Sequence, residues 1–439
     1  MRVRIRAGGR FAFLMILIAL VLGGCAGALT AAFPSYPPSA TSSTAGGPVA
    51  EVPDEGQYDP ATTTTVAPPE VVRIGALLPL TGDLAKQGAE SLEGMRLAAE
   101  EINATGGIHS LGGARIELVQ ADSRGDPEVG TGEFNRLVAE QTVSAVAGAY
   151  QSSVALAVSL SAEELSVPFV VTTGAADEIT EQGLEYTFRL CPKAEWYARD
   201  QVQFLTEGGL REEPITKVAL LHEKGEFGTE TAADQRKYLA EAGIEVVDEI
   251  AYPADQPNFH REIMQIKSGQ AQALLTATYP DDAVLIADSA AKLHLDIPLL
   301  DAGGGTTDAG FLSRAGATSD LIITELEYCP GTSARQFEKD YAEVNGGIAS
   351  AGALYSYQAV WLIANALERA ASTEPERLRT ALATTSMTRA DHMVLPQRPL
   401  SFDQQGQNRG ARLFQAQIQN LRYVPVWPAE YAQSAADLP

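Results

Sequence analysis

From Val71 onward the sequence alternates short β-rich runs with stretches of helical spacing, and that rhythm limits the fold more than any other feature. Val71-Val-Arg-Ile-Gly-Ala-Leu-Leu78 reads as a strand closed by Pro79. Leu92, Met95, Ala99 and Ile102 then recur at helical spacing until Gly106-Gly107 stops the helix. Further strands are predicted at 115–121, 145–150, 168–172, 217–222, 246–252, 273–279 and 297–300, most of them separated by helical stretches. Repeated βα order predicts parallel sheets with helices on both faces, and this many strands exceeds one comfortable sheet. The expected fold is therefore α/β, with two doubly wound Rossmann-like lobes.

The first 70 residues are different in kind. Arg2, Arg4, Arg6 and Arg10 precede an apolar run from Phe11 to Leu22, followed by Gly23-Gly24-Cys25. This reads as a signal peptide over residues 1–24, and Leu22-Gly-Gly-Cys25 resembles the lipobox at which bacterial lipoproteins are cleaved and lipidated on the cysteine. A retained transmembrane helix is the competing reading, because no charge appears from Phe11 to Phe33. The strongly apolar part stops at Leu22, which is the length of a signal-peptide core and favours the lipoprotein. Residues 25–70 are rich in Pro, Thr, Ser, Ala and Gly, too poor in large apolar side chains to form a core, and read as a flexible linker. The expected location is the outer face of the cell membrane, held by lipid on Cys25.

Charge and motifs exclude several functions. The chain carries a net charge of -24, and residues 1–24 hold four arginines and no acid, so the remainder has 28 basic residues against 56 acidic ones. A body of that sign lacks the basic footprint that nucleic acid requires. No P-loop, dinucleotide fingerprint, nucleophile elbow or zinc spacing appears among the five scattered histidines, so neither enzyme chemistry, cofactor nor metal is expected. A secreted hydrolase using Ser152 or Ser153 is the rival from another class, and no histidine is placed by sequence to serve as its base. The run Gly303-Gly304-Gly305 follows a strand and reads as a plain turn in preference to an anion cradle. Once Cys25 is lipidated, Cys191 and Cys329 either form a disulfide or remain free buried thiols.

Binding remains, and here the chain resembles a known family. Gly75-Ala-Leu-Leu-Pro-Leu-Thr-Gly82, Glu100-Glu-Ile-Asn-Ala-Thr-Gly-Gly-Ile108, Gly148-Ala-Tyr-Gln-Ser-Ser153, Thr173-Gly-Ala175, His222-Glu-Lys-Gly-Glu-Phe-Gly228, Tyr279-Pro-Asp281, Tyr357-Gln-Ala-Val360 and Ser401-Phe-Asp-Gln-Gln-Gly406 run in order. Together they resemble the periplasmic leucine, isoleucine and valine-binding proteins, receptors for ATP-driven importers, over residues 71 to roughly 425. The resemblance implies hinge crossings near residues 190, 329 and 398. These divide the chain into a first lobe of 71–190 plus 330–398 and a second of 191–329 plus 399–439, with Cys191 and Cys329 on neighbouring crossings.

The same resemblance assigns the cleft. Ser152, with Ser153 beside it, opens a helix and would hold a ligand α-carboxylate, helped by Thr173 and Ala175. Asp281 would pair with the α-ammonium. Tyr150, Trp196 and Phe227 would supply flat walls, and Gln87 stands where the branched-chain receptor has tryptophan, which suits a polar or amide-bearing solute. Expected partners are an amino acid or amide-like solute, the permease of an ABC transporter and the membrane through the lipid anchor, for a monomer that closes about its hinge. A ligand sensor for signalling, or for amides and urea, is the alternative output of the same fold.

Overall fold

The structure, a computed structural model, describes residues 68–437 except 208–209, 211–213, 255, 309, 329–333, 389–391 and 397–398. The expected signal peptide, Cys25 and the linker up to residue 67 lie outside the described residues, as does Cys329. No helix among the described residues is long and apolar enough to cross a membrane.

The first lobe opens with β1 (Val71–Leu78) and α1 (Ala85–Ala104), then β2 (Arg115–Asp122), α2 (Pro127–Gln141), β3 (Ala145–Gly148), α3 (Ser152–Leu165), β4 (Phe169–Val171), the short α4 (Glu178–Glu181) and β5 (Thr187–Arg189). Its five strands are all parallel in the order β2-β1-β3-β4-β5. Residues Ile74 to Leu78 are wholly buried, as a parallel strand covered on both faces must be. Helix α2 starts where it does because Asp126 accepts from Glu128 N and Val129 N and Pro127 cannot donate.

The chain then builds the second lobe: α5 (Ala194–Glu207), β6 (Lys217–Glu223), α6 (Glu226–Glu241), β7 (Glu245–Tyr252), α7 (His260–Ser268), β8 (Ala273–Ala277), α8 (Pro280–Lys292), β9 (Leu299–Asp301), α9 (Phe311–Ala315) and β10 (Ile323–Leu326). It returns to the first lobe for α10 (Arg335–Asn345), α11 (Ala351–Ala370) and α12 (Pro375–Ala383), and finishes with the hairpin β11 (Phe414–Ile418) and β12 (Tyr423–Trp427). The second sheet runs β12-β11-β10-β9-β8-β6-β7, with the hairpin antiparallel on β10. Strands β5, β10, β11 and β12 stand outside those expected from sequence. They are three to five residues long, and β11 alternates buried glutamines with its apolar residues.

Helix α11 is apolar around its circumference because it lies between α1 and the first sheet. A Cβ on Gly94 would come within 2.1 Å of Ala353 O, so glycine lets α1 and α11 approach at backbone distance. The third crossing departs from the expected position near residue 398. Leu400 bridges to Met387, Arg189 N donates to Gly406 O (2.8 Å) and Asn408 N donates to Arg189 O (3.0 Å). Leu400, Gly406 and Asn408 thus bond to first-lobe backbone while the turn between them pairs with itself, and the chain leaves for the second lobe only after Asn408.

Candidate functional site

Both sheets direct the C-terminal ends of their parallel strands, and the helices that follow them, towards one cavity of about 50 Å³ between the lobes. The first lobe contributes donors. Helix α3 begins straight after β3, carries no acid in its first turn, and has no side-chain cap on its N-terminus. Ser152 accepts from Ala175 N (3.0 Å) and Ala176 N (3.1 Å) on its Oγ, which leaves the hydroxyl proton to donate into the cavity. Thr173 lines the same wall and donates to Tyr150 O (3.1 Å). Helix α11 enters beside it, with Ser350, Ala351 and Gly352 on the wall and again no acid in the first turn. Two helix N-termini of positive sign therefore meet the cavity from this side.

Beneath that wall lies Arg189, fully buried. It donates to Ala175 O (2.9 Å), Gly174 O (3.5 Å), Ala176 O, Thr180 Oγ1 (2.8 Å) and Gln407 Oε1 (2.6 Å). The guanidinium fork thus fixes the loop whose N–H groups hold Ser152.

The second lobe contributes acceptors and rings. At its helix N-termini the N–H groups face acids: Glu223 accepts from Gly228 N (2.7 Å) and Gly225 N before α6, and α8 carries Asp281 and Asp282. Glu327, just past β10, accepts from the Tyr197 hydroxyl on Oε1 (2.6 Å), while Oε2 is buried and, with the Tyr355 hydroxyl close by, makes no hydrogen bond of ordinary geometry among the described residues. Burial pushes its carboxyl up to about 7, against the pull of the Tyr197 and Tyr355 hydroxyls. Asp308 takes Gln87 Nε2 (2.9 Å), Gly310 N (2.8 Å) and Lys86 Nζ (3.3 Å), so it ties α1 of one lobe to the β9 loop of the other. The amide oxygen of Gln87 is likewise buried and unpartnered among the described residues. Phe227 meets Tyr197 edge-on at 6.3 Å and Tyr279 at 6.1 Å, closing the wall with rings.

Of the residues expected from sequence, Gln87, Tyr150, Ser152, Thr173, Ala175 and Phe227 come together around the cavity. Ser153 lies in α3, is half-buried and does not line the cavity. Trp196 lies outside, under the Arg199 guanidinium at 5.8 Å and beside Phe414 and Tyr431 in a separate hollow. Asp281 is also outside: its side chain is 67% exposed and pairs with Arg314 at 2.6 Å. Behind Pro280 the first turn of α8 points Asp281 at solvent and buries Asp282 instead. The carboxylate in the cavity with an oxygen left over is Glu327, which the sequence analysis missed; its signal is an acid at the end of a buried strand. Tyr197, Tyr279, Thr307, Asp308 and Ser350 to Gly352 were missed too.

The glycine run is more than a plain turn. Gly304 has φ +44 and lines the cavity, and a Cβ there would lie 2.6 Å from Thr278 O. Cys191 is a free, buried thiol with Sγ 3.3 Å from Gly174 O, and burial pushes its pKa up; the cysteine suggested as its partner, Cys329, is outside the described residues. No histidine lines the cavity beside Ser152, and no cluster of three metal-ligating side chains occurs among the described residues.

A family model described as "Periplasmic binding protein" matches residues 71–420. The Leu/Ile/Val-binding protein homolog 7 of Brucella abortus (strain 2308) is 30% identical over 389 residues, covering 84% of this chain and 94% of that one. Among solved structures, the branched-chain amino acid transporter substrate-binding protein LivJ of Streptococcus pneumoniae, in complex with isoleucine, superposes with a TM-score of 0.72 at 22% identity, covering 80% of this chain and 97% of that one. An ABC transporter solute-binding protein of R. palustris in complex with benzoate gives the same TM-score at 22% identity, over 83% and 98% of the two chains.

Proposed function

The chain belongs to the periplasmic binding protein family, and on that premise we propose that it is the solute-binding component of an ABC importer, taking a free α-amino acid between its lobes without turning it over. The observation that carries this reading is the opposite polarity of the two walls. The uncapped N-terminus of α3, the acid-free N-terminus of α11, which Ser350 caps, and the Ser152 hydroxyl face the cavity from the first lobe; Glu327 and a set of aromatic rings face it from the second. A zwitterion satisfies both walls at once: its carboxylate takes the Ser152 side and its ammonium takes Glu327 and Gln87 Oε1.

Binding then stabilises the closed arrangement, because the charged acceptor Glu327 comes from the second lobe while the Ser152 donors and Gln87 come from the first. Cross-lobe contacts of Gln87 and Lys86 with Asp308, and of Asp177 N with Glu230 Oε2 (2.6 Å), support closure about the crossings near Arg189, residue 329 and Asn408. The N-terminal sequence supports export and attachment through lipid on Cys25, with the closed monomer docking on a permease.

Calorimetric titration of the purified protein with leucine and with its 2-hydroxy analogue, alongside benzoate, tests the reading. The amino acid is expected to bind at least tenfold tighter than the hydroxy acid, and Glu327→Gln to erase that difference. Equal binding of the hydroxy acid or benzoate would remove the ammonium from the site.

A further inference from the structure

Away from the cavity the lobes meet a second time, and there they meet acid to acid. Asp177 and Glu178, where the first-lobe loop after β4 enters α4, lie against α6 of the second lobe. Asp177 N donates to Glu230 Oε2 (2.6 Å), which sets the half-buried Glu230 carboxylate beside Asp177 and Glu178, with Glu226 one turn back on its own helix. Asp234, one turn on, faces Asp177 and Glu195.

The cations nearby are engaged elsewhere. Lys193, on the crossing between the lobes, pairs with Glu181 (2.6 Å), Glu195 (2.8 Å) and Asp177 (3.6 Å), and Lys237 pairs with Glu195 (3.4 Å). Arg189 gives its N–H groups to carbonyls, Thr180 and Gln407. Helix α3, which also packs on α6, carries no charged side chain before Glu163, and Glu223 under the start of α6 is held by Gly228 N. The charges that bear most on Glu230 are therefore acidic, and burial together with them pushes its carboxyl up to about 7. Asp234 rises to about 6 for the same reasons, with Lys237 and Lys193 pulling against.

When the lobes part, Glu230 loses its cover and two of its three acidic neighbours, so its carboxyl returns towards the ordinary range. A group that holds its proton more firmly in one arrangement favours that arrangement when protonated. We propose that the contact of α4 with α6 is a proton-sensitive latch: Glu230 takes a proton from solvent as the lobes close, so the closed, solute-holding form is favoured in mildly acid surroundings and loosened as pH rises. This rests on the solute being held by closure. Glu327 acts in the opposite sense, because an ammonium needs its ionised form, and the two groups are separable on that ground.

Titration calorimetry of the purified protein with leucine between pH 6 and pH 8 tests the latch. Over that range the affinity of Glu230→Gln, which keeps an oxygen for Asp177 N, is expected to gain about tenfold on that of the unaltered protein. At pH 7, in buffers of unlike ionisation heat, the variant should take up roughly half a proton fewer per leucine bound. Glu178→Gln, at an exposed position, removes one repelling charge and should move both readings the same way by less. Leucine binding whose pH profile and proton count are unchanged in both variants overturns the latch and leaves the solute reading standing. A failure of leucine to bind at any pH overturns the two together.

Discussion

Helices α3 and α11 reach the cavity with no acid in their first turns, whereas α6 and α8 arrive with Glu226 and with Asp281 and Asp282. The interiors of the two lobes differ in the same sense. The first lobe buries the cation Arg189, whose Nε, Nη1 and Nη2 donate to an amide, carbonyls and a hydroxyl. The second buries carboxylates: Asp301 among the hydroxyls of Thr276, Thr278 and Thr306, Glu325 against Gln415, and Glu327. Arginine keeps its charge at every ordinary pH, while buried carboxyls titrate near neutrality. One wall of the site is therefore fixed in charge and the other is adjustable.

The comparison breaks most visibly at Arg189. Arg189→Met strands the carbonyls of Gly174, Ala175 and Ala176, and is expected to cost about 3 kcal/mol or more in urea unfolding and to weaken amino acid binding through the displaced Ser152 loop. A neutral result would mean that the first lobe does not need its buried charge.

An effect of the same order is expected from pH. Burial raises Glu327 and Asp282 to about 7 and Asp301 to about 6. The folded chain then holds protons that the unfolded chain has lost, so this stability is complete below the unfolded carboxyl range and disappears as pH rises through 6 to 7. Glu327 alone accounts for about 3 kcal/mol on that scale. Denaturant midpoints should fall from pH 5 to pH 8, and a midpoint that climbs over that range would contradict the contrast between the lobes. The smallest effect belongs to Asp281→Ala, which removes an exposed ion pair with Arg314 and should change stability by less than about 0.5 kcal/mol. Titration of this variant should give unaltered affinity; a tenfold loss would return the ammonium to α8.

These contrasts also mark what sequence reading reaches. The βα rhythm located β1 to β4 and β6 to β9 because each is a compact apolar run followed by helical spacing. The first-lobe wall was legible through the family resemblance, whose motifs place Tyr150, Ser152, Thr173 and Ala175 directly after strands that the rhythm also predicts. Glu327 and Ser350 to Gly352 arrive from a crossing and from a helix start far along the chain, and only the assembled lobes set them beside Ser152. Asp281 failed because an acid in the first turn of a helix looks the same whether it serves a ligand or its own helix.

The packing of α11 on α1 also sets a timetable for synthesis. The Tyr357 hydroxyl donates to Glu101 across 256 residues, and Gly94 lies against Ala353. The lobe that begins the fold is thus finished only when most of the polypeptide has left the ribosome, since until then α1 and the first strands have no central helix to cover them. Contacts so distant along a chain form slowly. A nascent chain halted before α11 would have the parallel strands of its second lobe in hand and an open, unfinished first one, a state in which it could still be threaded or degraded.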